Sequence, residues 1–390
     1  MAPKLSNSHN ELLFCLILYP ALIKFASSSA FVPIEEFSTD NEEESVPSIV
    51  TVRNGQIRGF RRELEPALDA EKVLFEQADI FLGIPFAQPP VDELRLERPL
   101  AASNWTGTLD ATALPAPCVP QQLLTALNFD ENCLQLNVMR PASVPSGDAS
   151  SYQFPVLVFI HGGAFIIGGT FVEGYANISN NFVAQGIVVV TVQYRLNFLG
   201  FFTDGTERNP GNLGLWDQRQ ALLWGEEVSG VRTGRQKTVS FGRSFHYANF
   251  GRGAAESGAR VARVDHVNKG HAKLLPFPGV AHTAEYAFTL GVPLLGNYAL
   301  DEEDKNVRAT MAHAYGTFVK NGVPNTLNDE TNWPRLGSDR RQPLQLTRIK
   351  YPKPVTETEP TDVAEKLKFW RKLSTLKGYG GMTGFAKELP

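Results

Sequence analysis

Two continuous apolar runs dominate the middle of the chain and predict its architecture. They are FPVLVFI at 154–160 and GIVVVTVQY at 186–194, and both are rich in β-branched residues. Runs of this kind are typical of strands buried on both faces, as in parallel sheets with helices on each side. Apolar residues at helical spacing then extend from Leu213 to Trp224. Together these elements predict an α/β fold with a mostly parallel sheet.

The pattern changes at both ends of this region. VTVRNGQIRG at 50–59 predicts two short strands around an Asn-Gly turn. Before it, residues 31–48 contain six acidic residues and no Lys or Arg, which indicates a disordered, solvated arm. The apolar runs stop over 225–263, where Val228 to Arg263 contains seven Lys or Arg and one acidic residue. We therefore predict one domain over 49–390, interrupted by an atypical basic bridge.

The first thirty residues have the composition of an export signal. LLFCLILYPALI at 12–23 is an apolar run that follows Lys4, and small residues occupy Ala26 to Ala30. A membrane span needs about 20 apolar residues, so this run is too short to be an anchor. We predict a signal peptide over 1–30 and a secreted protein without a membrane anchor.

Composition and charge narrow the possible partners. The chain has 390 residues and a formal net charge of −4, which gives no reason to expect nucleic acid. Removal of the leader leaves Cys118 and Cys133, which either form a disulfide or remain two buried thiols. Sequons at Asn104 and Asn177 suit a secreted glycoprotein. The seven histidines show no metal-ligand spacing and no phosphate-binding loop occurs, so we expect no metal and no cofactor.

The clearest chemical motif is HGGAF at 161–165, directly after the first buried run. Glycines let backbone N–H groups turn toward a ligand without a Cβ in the way. Two such donors aimed at one point would form an oxyanion hole for acyl transfer, and loops of this type occur in esterases and lipases. The alternative is an ordinary tight turn between a strand and a loop.

Longer motifs extend this interpretation to a family. They are FLGIPFAQPPVDELR at 81–95, ENCLQLNV at 131–138, YRLN at 194–197 and NLGLWDQ at 212–218. With them the chain resembles the type B carboxylesterases, which include cholinesterases and the adhesion proteins called neuroligins. The resemblance covers about 49–224 and again about 264–335, with departures at Asp92, Asn132 and Gln135. It implies an α/β-hydrolase fold, a Cys118–Cys133 disulfide, oxyanion donors at Gly162 and Gly163, and small-molecule carboxylic esters as substrates.

The same resemblance implies a nucleophile elbow, Gly-x-Ser-x-Gly, between a strand and a helix. The nearest match is TVSFGRSFH at 238–246, which makes Ser244 the candidate nucleophile and the Phe245 amide a third oxyanion donor. Its fifth position is His246 where the motif requires Gly, and a bulky side chain there should strain the turn. A rival serine, Ser257 in AESGA, lacks the first glycine.

The catalytic histidine that the resemblance implies is His282, in FPGVAHTAEYAF at 277–288. In this fold an acid lies between the serine and the histidine in chain order. Only Glu256 and Asp265 lie there, neither follows the family pattern, and we interpret Asp265 as structural. The resemblance thus implies that a block with the acid and several central strands is missing.

Three explanations of the basic bridge remain open: a mis-spliced or out-of-frame gene model, an inactive paralogue, and a basic partner-binding loop. They lead to different functions. The first hypothesis is a secreted serine carboxylesterase, with activity possible only if the altered elbow still works. The second is a catalytically inactive binding or adhesion module. The third is a chain that does not fold stably, because lost strands would uncover their neighbours.

Overall fold

The hairpin predicted at the start of the domain is present. In the computed structural model, strand β1 (Pro47–Val52) pairs antiparallel with β2 (Gly55–Glu63) across the Arg53–Asn54 turn. The structure describes residues 46–66, 72–120, 128–143, 154–206, 209, 211–228, 237–240, 262–273, 280, 284–291, 298–325, 333–334 and 345–358. The predicted signal peptide and nearly all of the acidic arm lie outside these residues.

Six further strands extend this hairpin into one sheet. They are β3 (Gln77–Pro85), β4 (Thr108–Asp110), β5 (Gln135–Pro141), β6 (Val156–Ile160), β7 (Val188–Val192) and β8 (Lys237–Ser240). The order is β1-β2-β3-β5-β7-β6-β8, with β4 beside β2. Neighbouring strands are antiparallel from β1 through β2, β3 and β5 to β7. β6 pairs parallel with both β7 and β8, and β4 pairs parallel with β2. The described sheet is therefore mixed, and its parallel part is built around the two apolar runs.

Helices cover both faces of the parallel strands. The described helices are α1 (Thr170–Glu173), α2 (Ala176–Phe182), α3 (Asn197–Phe201), α4 (Leu213–Val228), α5 (Lys269–Ala272), α6 (Glu285–Thr289) and α7 (Glu302–Asn321). Short 3-10 turns occur at Asp92–Leu94 and Val183–Gln185. On one face, Val158 of β6 packs in a cluster with Trp224 of α4. On the other, Phe159 packs with Phe182 of α2, so alternate residues of β6 enter two separate cores.

A second, smaller sheet follows the bridge. β9 (Ala262–Val264), β10 (Gln345–Ile349) and β11 (Val355–Thr358) pair in the order β11-β10-β9. Ile349 packs with Phe288 of α6 and Met311 of α7. Helix α7 begins at a capping box, in which Asp301 and Asp304 each accept the other's backbone N–H. Among the helices described, none is long and apolar enough to cross a membrane.

Candidate active site

The HGGAF turn begins where β6 ends. Its Gly163 carbonyl accepts the amides of Ile166 and Ile167, both at 3.0 Å. Gly163 has a φ of +116°, and a Cβ built on it would lie 1.9 Å from the Ile167 carbonyl oxygen. Only glycine fits such a position. Gly162 is exposed and Gly163 half-buried, so the backbone of this turn faces the surface where a substrate would approach.

His161, the first residue of the turn, is buried. Its ring stacks on Tyr194, with centroids 4.4 Å apart, and Nδ1 lies 2.8 Å from the Gly162 carbonyl oxygen. Burial lowers the pKa of His161 to about 4, so the ring is neutral near pH 7. A Cβ on Gly168 would lie 2.4 Å from Nδ1, which explains the glycine that closes the turn.

The strand before the candidate elbow lies directly beside this turn. β8 pairs parallel with β6, and the register places Ser240 opposite Ile160. Parallel strands end at the same edge of a sheet, so the chain leaves β8 next to Gly162. Ser244 and Phe245 follow within five residues, and both lie outside the described residues.

The chain after the predicted histidine loop packs near the glycine turn. His282 itself lies outside the described residues, but the chain two residues later is buried at Ala284 and continues into α6. Tyr286 of α6 packs edge-on against Phe159, with ring centroids 6.3 Å apart. Its hydroxyl oxygen lies 3.9 Å from the position that a Cβ on Gly162 would occupy, and burial raises the pKa of this tyrosine.

Sequence reasoning missed a buried carboxyl group behind this turn. Glu173 ends α1 with only 2% of its surface exposed. Neither carboxyl oxygen has a hydrogen-bond partner among the described residues. Burial raises the pKa of Glu173 to about 8. The only available signal was an acidic residue within a small and apolar stretch, GGTFVEG at 168–174.

Further out, the structure joins Cys118 and Cys133 in a disulfide with Cα atoms 5.0 Å apart, as the resemblance implies. Of the two sequons, Asn104 is exposed. Asn177 is half-buried, its amide nitrogen donates to the Gly291 carbonyl, and its oxygen accepts from Arg308. A glycan on Asn177 would therefore disturb packing, whereas one on Asn104 would extend into solvent.

Asp265 has the structural environment expected of it. Its carboxylate pairs with Arg348 of β10, and its backbone N–H donates to the Ile349 carbonyl at 2.9 Å. Within the described ranges, no three His, Cys, Asp or Glu side chains are grouped as a metal site. The acid expected between Ser244 and His282 is thus not provided by Asp265, and Glu256 lies outside the described residues.

Comparison with known proteins agrees with this geometry. A family model described as the carboxylesterase family matches residues 46–228 and 247–370. The unmatched segment between them, 229–246, contains Ser244 and its two following residues.

Individual relatives match part of the chain. The chain is 38% identical to gut esterase 1 of Caenorhabditis briggsae over 185 residues, which is 47% of the chain and 30% of that protein. It is 42% identical to human carboxylesterase 3 over 163 residues, 38% of the chain and 27% of that protein. It is 40% identical to the acylcarnitine hydrolase of Mus musculus over 157 residues, which is 37% of the chain and 27% of that protein. The chain thus spans less than a third of each of these relatives, yet the family model matches most of it. It belongs to the carboxylesterase family.

Proposed function

We propose that the chain hydrolyses carboxylic esters through Ser244 and His282. The observation that supports this most strongly is the β6–β8 register, with Ile160 opposite Ser240. It brings the chain that leads to Ser244 to the edge of the sheet occupied by the glycine turn. Tyr286, four residues after His282, has its hydroxyl oxygen 3.9 Å from the position that a Cβ on Gly162 would occupy. The described segments that lead to Ser244 and follow His282 therefore both lie near the glycine turn, which supports the proposal.

The chemistry follows from these positions. The Ser244 hydroxyl attacks the ester carbonyl, and His282 takes its proton and passes it to the departing alcohol. Water then cleaves the acyl-serine bond with His282 as the base. Backbone N–H groups of Gly162, Gly163 and Phe245 are the candidate donors to the oxyanion.

The surface beside the turn favours an apolar substrate. Phe165, Ile166 and Ile167 follow Gly163 directly and are exposed by 49%, 38% and 36%. An apolar acyl or alkoxy group that covers them would be removed from water, which stabilises binding by roughly 25 cal/mol per Å² buried. We therefore expect esters with longer apolar chains to be better substrates than acetate esters.

A fluorophosphonate probe tests the nucleophile directly. The purified chain should gain one adduct in intact-mass analysis, and Ser244→Ala should abolish it. Ser257→Ala is the matched control, because it removes the rival serine, and it should keep the adduct. An adduct that survives Ser244→Ala would contradict the proposal.

The second candidate function is a binding module of the same fold without turnover. The family match stops at 228 and resumes at 247, so the elbow is the part of the front region that departs from the family. A chain that melts cooperatively but takes no adduct would support this alternative. A chain without a cooperative melt would indicate that neither function is possible.

We also propose that the protein is secreted, with a signal peptide over 1–30. The Cys118–Cys133 disulfide supports this proposal, because disulfides persist in oxidising compartments. Protein collected from culture medium should begin at Phe31 and lose mass on deglycosylation. Asn104→Gln should remove most of that loss, since Asn104 is the exposed sequon. A mature protein that still begins at Met1 would contradict the export signal.

A further inference from the structure

Two successive carbonyl groups at the start of the glycine turn are held from the interior by two buried rings. The Tyr194 hydroxyl donates to the His161 carbonyl oxygen at 2.9 Å. The ring nitrogen Nδ1 of His161 lies 2.8 Å from the Gly162 carbonyl oxygen. Because a carbonyl oxygen can only accept, Nδ1 carries the proton and donates it. Tyr194 is 2% exposed and His161 4%, so both carbonyls point into the protein.

These two hydrogen bonds orient the N–H groups on the opposite side of the same peptides. In a planar trans peptide the C=O and N–H bonds point in opposite directions. The His161 carbonyl shares its peptide with the Gly162 N–H, and the Gly162 carbonyl shares its peptide with the Gly163 N–H. A carbonyl held from the interior therefore directs its N–H outward, toward the surface on which Gly162 is exposed. These are the two N–H groups that the turn offers to an oxyanion.

Tyr194 connects the two peptides. Its ring stacks on the His161 imidazole, with centroids 4.4 Å apart and ring planes inclined by 17°. The other ring nitrogen of His161, Nε2, has no hydrogen-bond partner among the described residues. The stack and the bond from Nδ1 are thus the contacts that orient the imidazole. One tyrosine fixes the first peptide with its hydroxyl and the second through the ring that it supports.

The sheet and a buried ion pair fix Tyr194 in turn. β6 and β7 are parallel and end at the same edge of the sheet, so His161 and Tyr194, which follow them, are neighbours. The next residue, Arg195, forms a buried ion pair with Asp217 of α4, with 2.7 Å between Nη2 and Oδ1. The support behind the turn is therefore in place before any ligand binds, as electrostatic stabilisation by preorganised donors requires.

We propose that Tyr194 is a positioning residue that orients both candidate oxyanion donors, the Gly162 N–H directly and the Gly163 N–H through His161. The inference rests on the proposed function, because this orientation matters for catalysis only if the two N–H groups hold an oxyanion. Tyr194 and His161 are buried behind the turn and act only through it. They raise the rate of acyl transfer, because donors fixed in advance stabilise the charge that develops in the transition state.

Saturation kinetics of fluorophosphonate labelling test this role. Tyr194→Phe keeps the ring and removes only the hydroxyl, so the rate constant at saturating probe should fall about tenfold, the effect of one hydrogen bond. The half-saturating probe concentration should not change, because the donors act on the transition state and not on probe binding. Tyr298→Phe is the matched control, since Tyr298 also stacks on a histidine, His271, with centroids 5.5 Å apart. It should label like the wild type.

Two substitutions of His161 separate positioning from packing. His161→Asn places an amide N–H donor near the position of Nδ1 and should label at close to the wild-type rate. His161→Leu fills the site with an apolar side chain, removes the donor and should label about tenfold more slowly at saturation. If the ring served packing alone, leucine would be the better replacement. Equal rates in the two variants, or a faster leucine variant, would overturn the proposal.

Hydrogen exchange distinguishes a failure of this inference from a failure of the serine mechanism. Amides over 161–167 should exchange faster in Tyr194→Phe and in His161→Leu, and at the wild-type rate in Tyr298→Phe. Unchanged exchange in the first two variants would overturn the proposal. If the wild type takes no adduct, the proposed function fails and the catalytic role of Tyr194 fails with it, whatever the exchange shows. If the wild type is labelled and Tyr194→Phe reaches the same rate at saturation, the proposed function stands and the positioning role is wrong.

Discussion

The large and the small sheet are stabilised in different ways. In the large sheet, β6 and β7 are covered on both faces, and residues such as Phe159 and Val189 are almost fully buried. The small sheet has one described apolar cluster, around Ile349, and an ion pair from Arg348 to Asp265 beside it. Apolar burial on both faces of the sheet therefore stabilises the front of the molecule, around the large sheet, whereas the back, around the small sheet, has a smaller described apolar cluster and a partly exposed ion pair.

Polar side chains also join the two regions. Asn181 of α2 donates to the Thr289 carbonyl at 2.7 Å, and its oxygen accepts from Arg308 of α7. Gln185 donates to the Ala312 carbonyl at 3.0 Å. These amides are almost fully buried. Because a buried hydrogen bond is costly to leave half-made, this junction should be sensitive to single substitutions that leave the large sheet intact.

The largest effect should come from the buried ion pair of the large sheet. Asp217 accepts three hydrogen bonds from Arg195, two of them from the guanidinium, and both side chains are buried. Asp217→Asn would leave the cation without its counter-charge and should cost about 3–5 kcal/mol of unfolding free energy. Urea unfolding of the wild type and the variant measures this loss of unfolding free energy.

The exposed pair of Arg58 and Asp110 provides the control for this experiment. Both side chains are more than half exposed, so Asp110→Asn should leave the urea midpoint almost unchanged. Equal losses in the two variants would contradict the assignment of Asp217 as the anchor of the front region.

Loss of the disulfide should have the next largest effect. A Cys118→Ala, Cys133→Ala double variant frees a loop of 15 residues, which corresponds to about 3 kcal/mol in the chain-entropy model. Cys15→Ala, within the predicted leader, should leave the secreted protein unchanged. A thermal melt with and without reductant measures the difference, and a melt insensitive to reductant would argue against the bridge.

Asn181→Ala tests most directly whether the two regions unfold independently. It removes the donor to Thr289 and the acceptor of Arg308, and should cost about 1–3 kcal/mol. Hydrogen exchange should accelerate over 284–325 and stay slow over 156–192. Uniform acceleration across both segments would show that the regions unfold as one unit.

The smallest effect should follow Arg348→Ala in the small sheet. The Arg348 side chain is 30% exposed, so loss of its pair with Asp265 should cost no more than about 1 kcal/mol. Faster exchange should be confined to β9 and β10. A loss comparable to that of Asp217→Asn would contradict the ranking of the two sheets.

The sequence predicted the features that depend on neighbouring residues better than those that depend on residues far apart in the chain. The runs at 154–160 and 186–194 predicted β6 and β7, and Leu213 to Trp224 predicted α4, which ends four residues later at Val228. The hairpin at 50–59 is confirmed as well. These elements have a local cause, namely the spacing of apolar side chains. The mixed pairing was not predicted, because periodicity does not encode which strands become neighbours.

For the candidate site, motifs and packing contributed different things. HGGAF predicted the turn because its backbone at Gly163 adopts a conformation that only glycine fits. The roles of Ser244 and His282 remain predictions from resemblance. Glu173 was not identified, because nothing in GGTFVEG indicates that its carboxyl group is buried without a hydrogen-bond partner among the described residues.

The sequence alone therefore determined the family, the buried strands and the glycine turn, since these follow from local composition and from long motifs. Only the tertiary structure decided which buried carboxyl groups have partners and which backbone carbonyl accepts the Tyr194 hydroxyl. Those properties depend on distances between residues far apart in the chain, and burial changes the energy of a carboxyl group far more than its neighbours in sequence do.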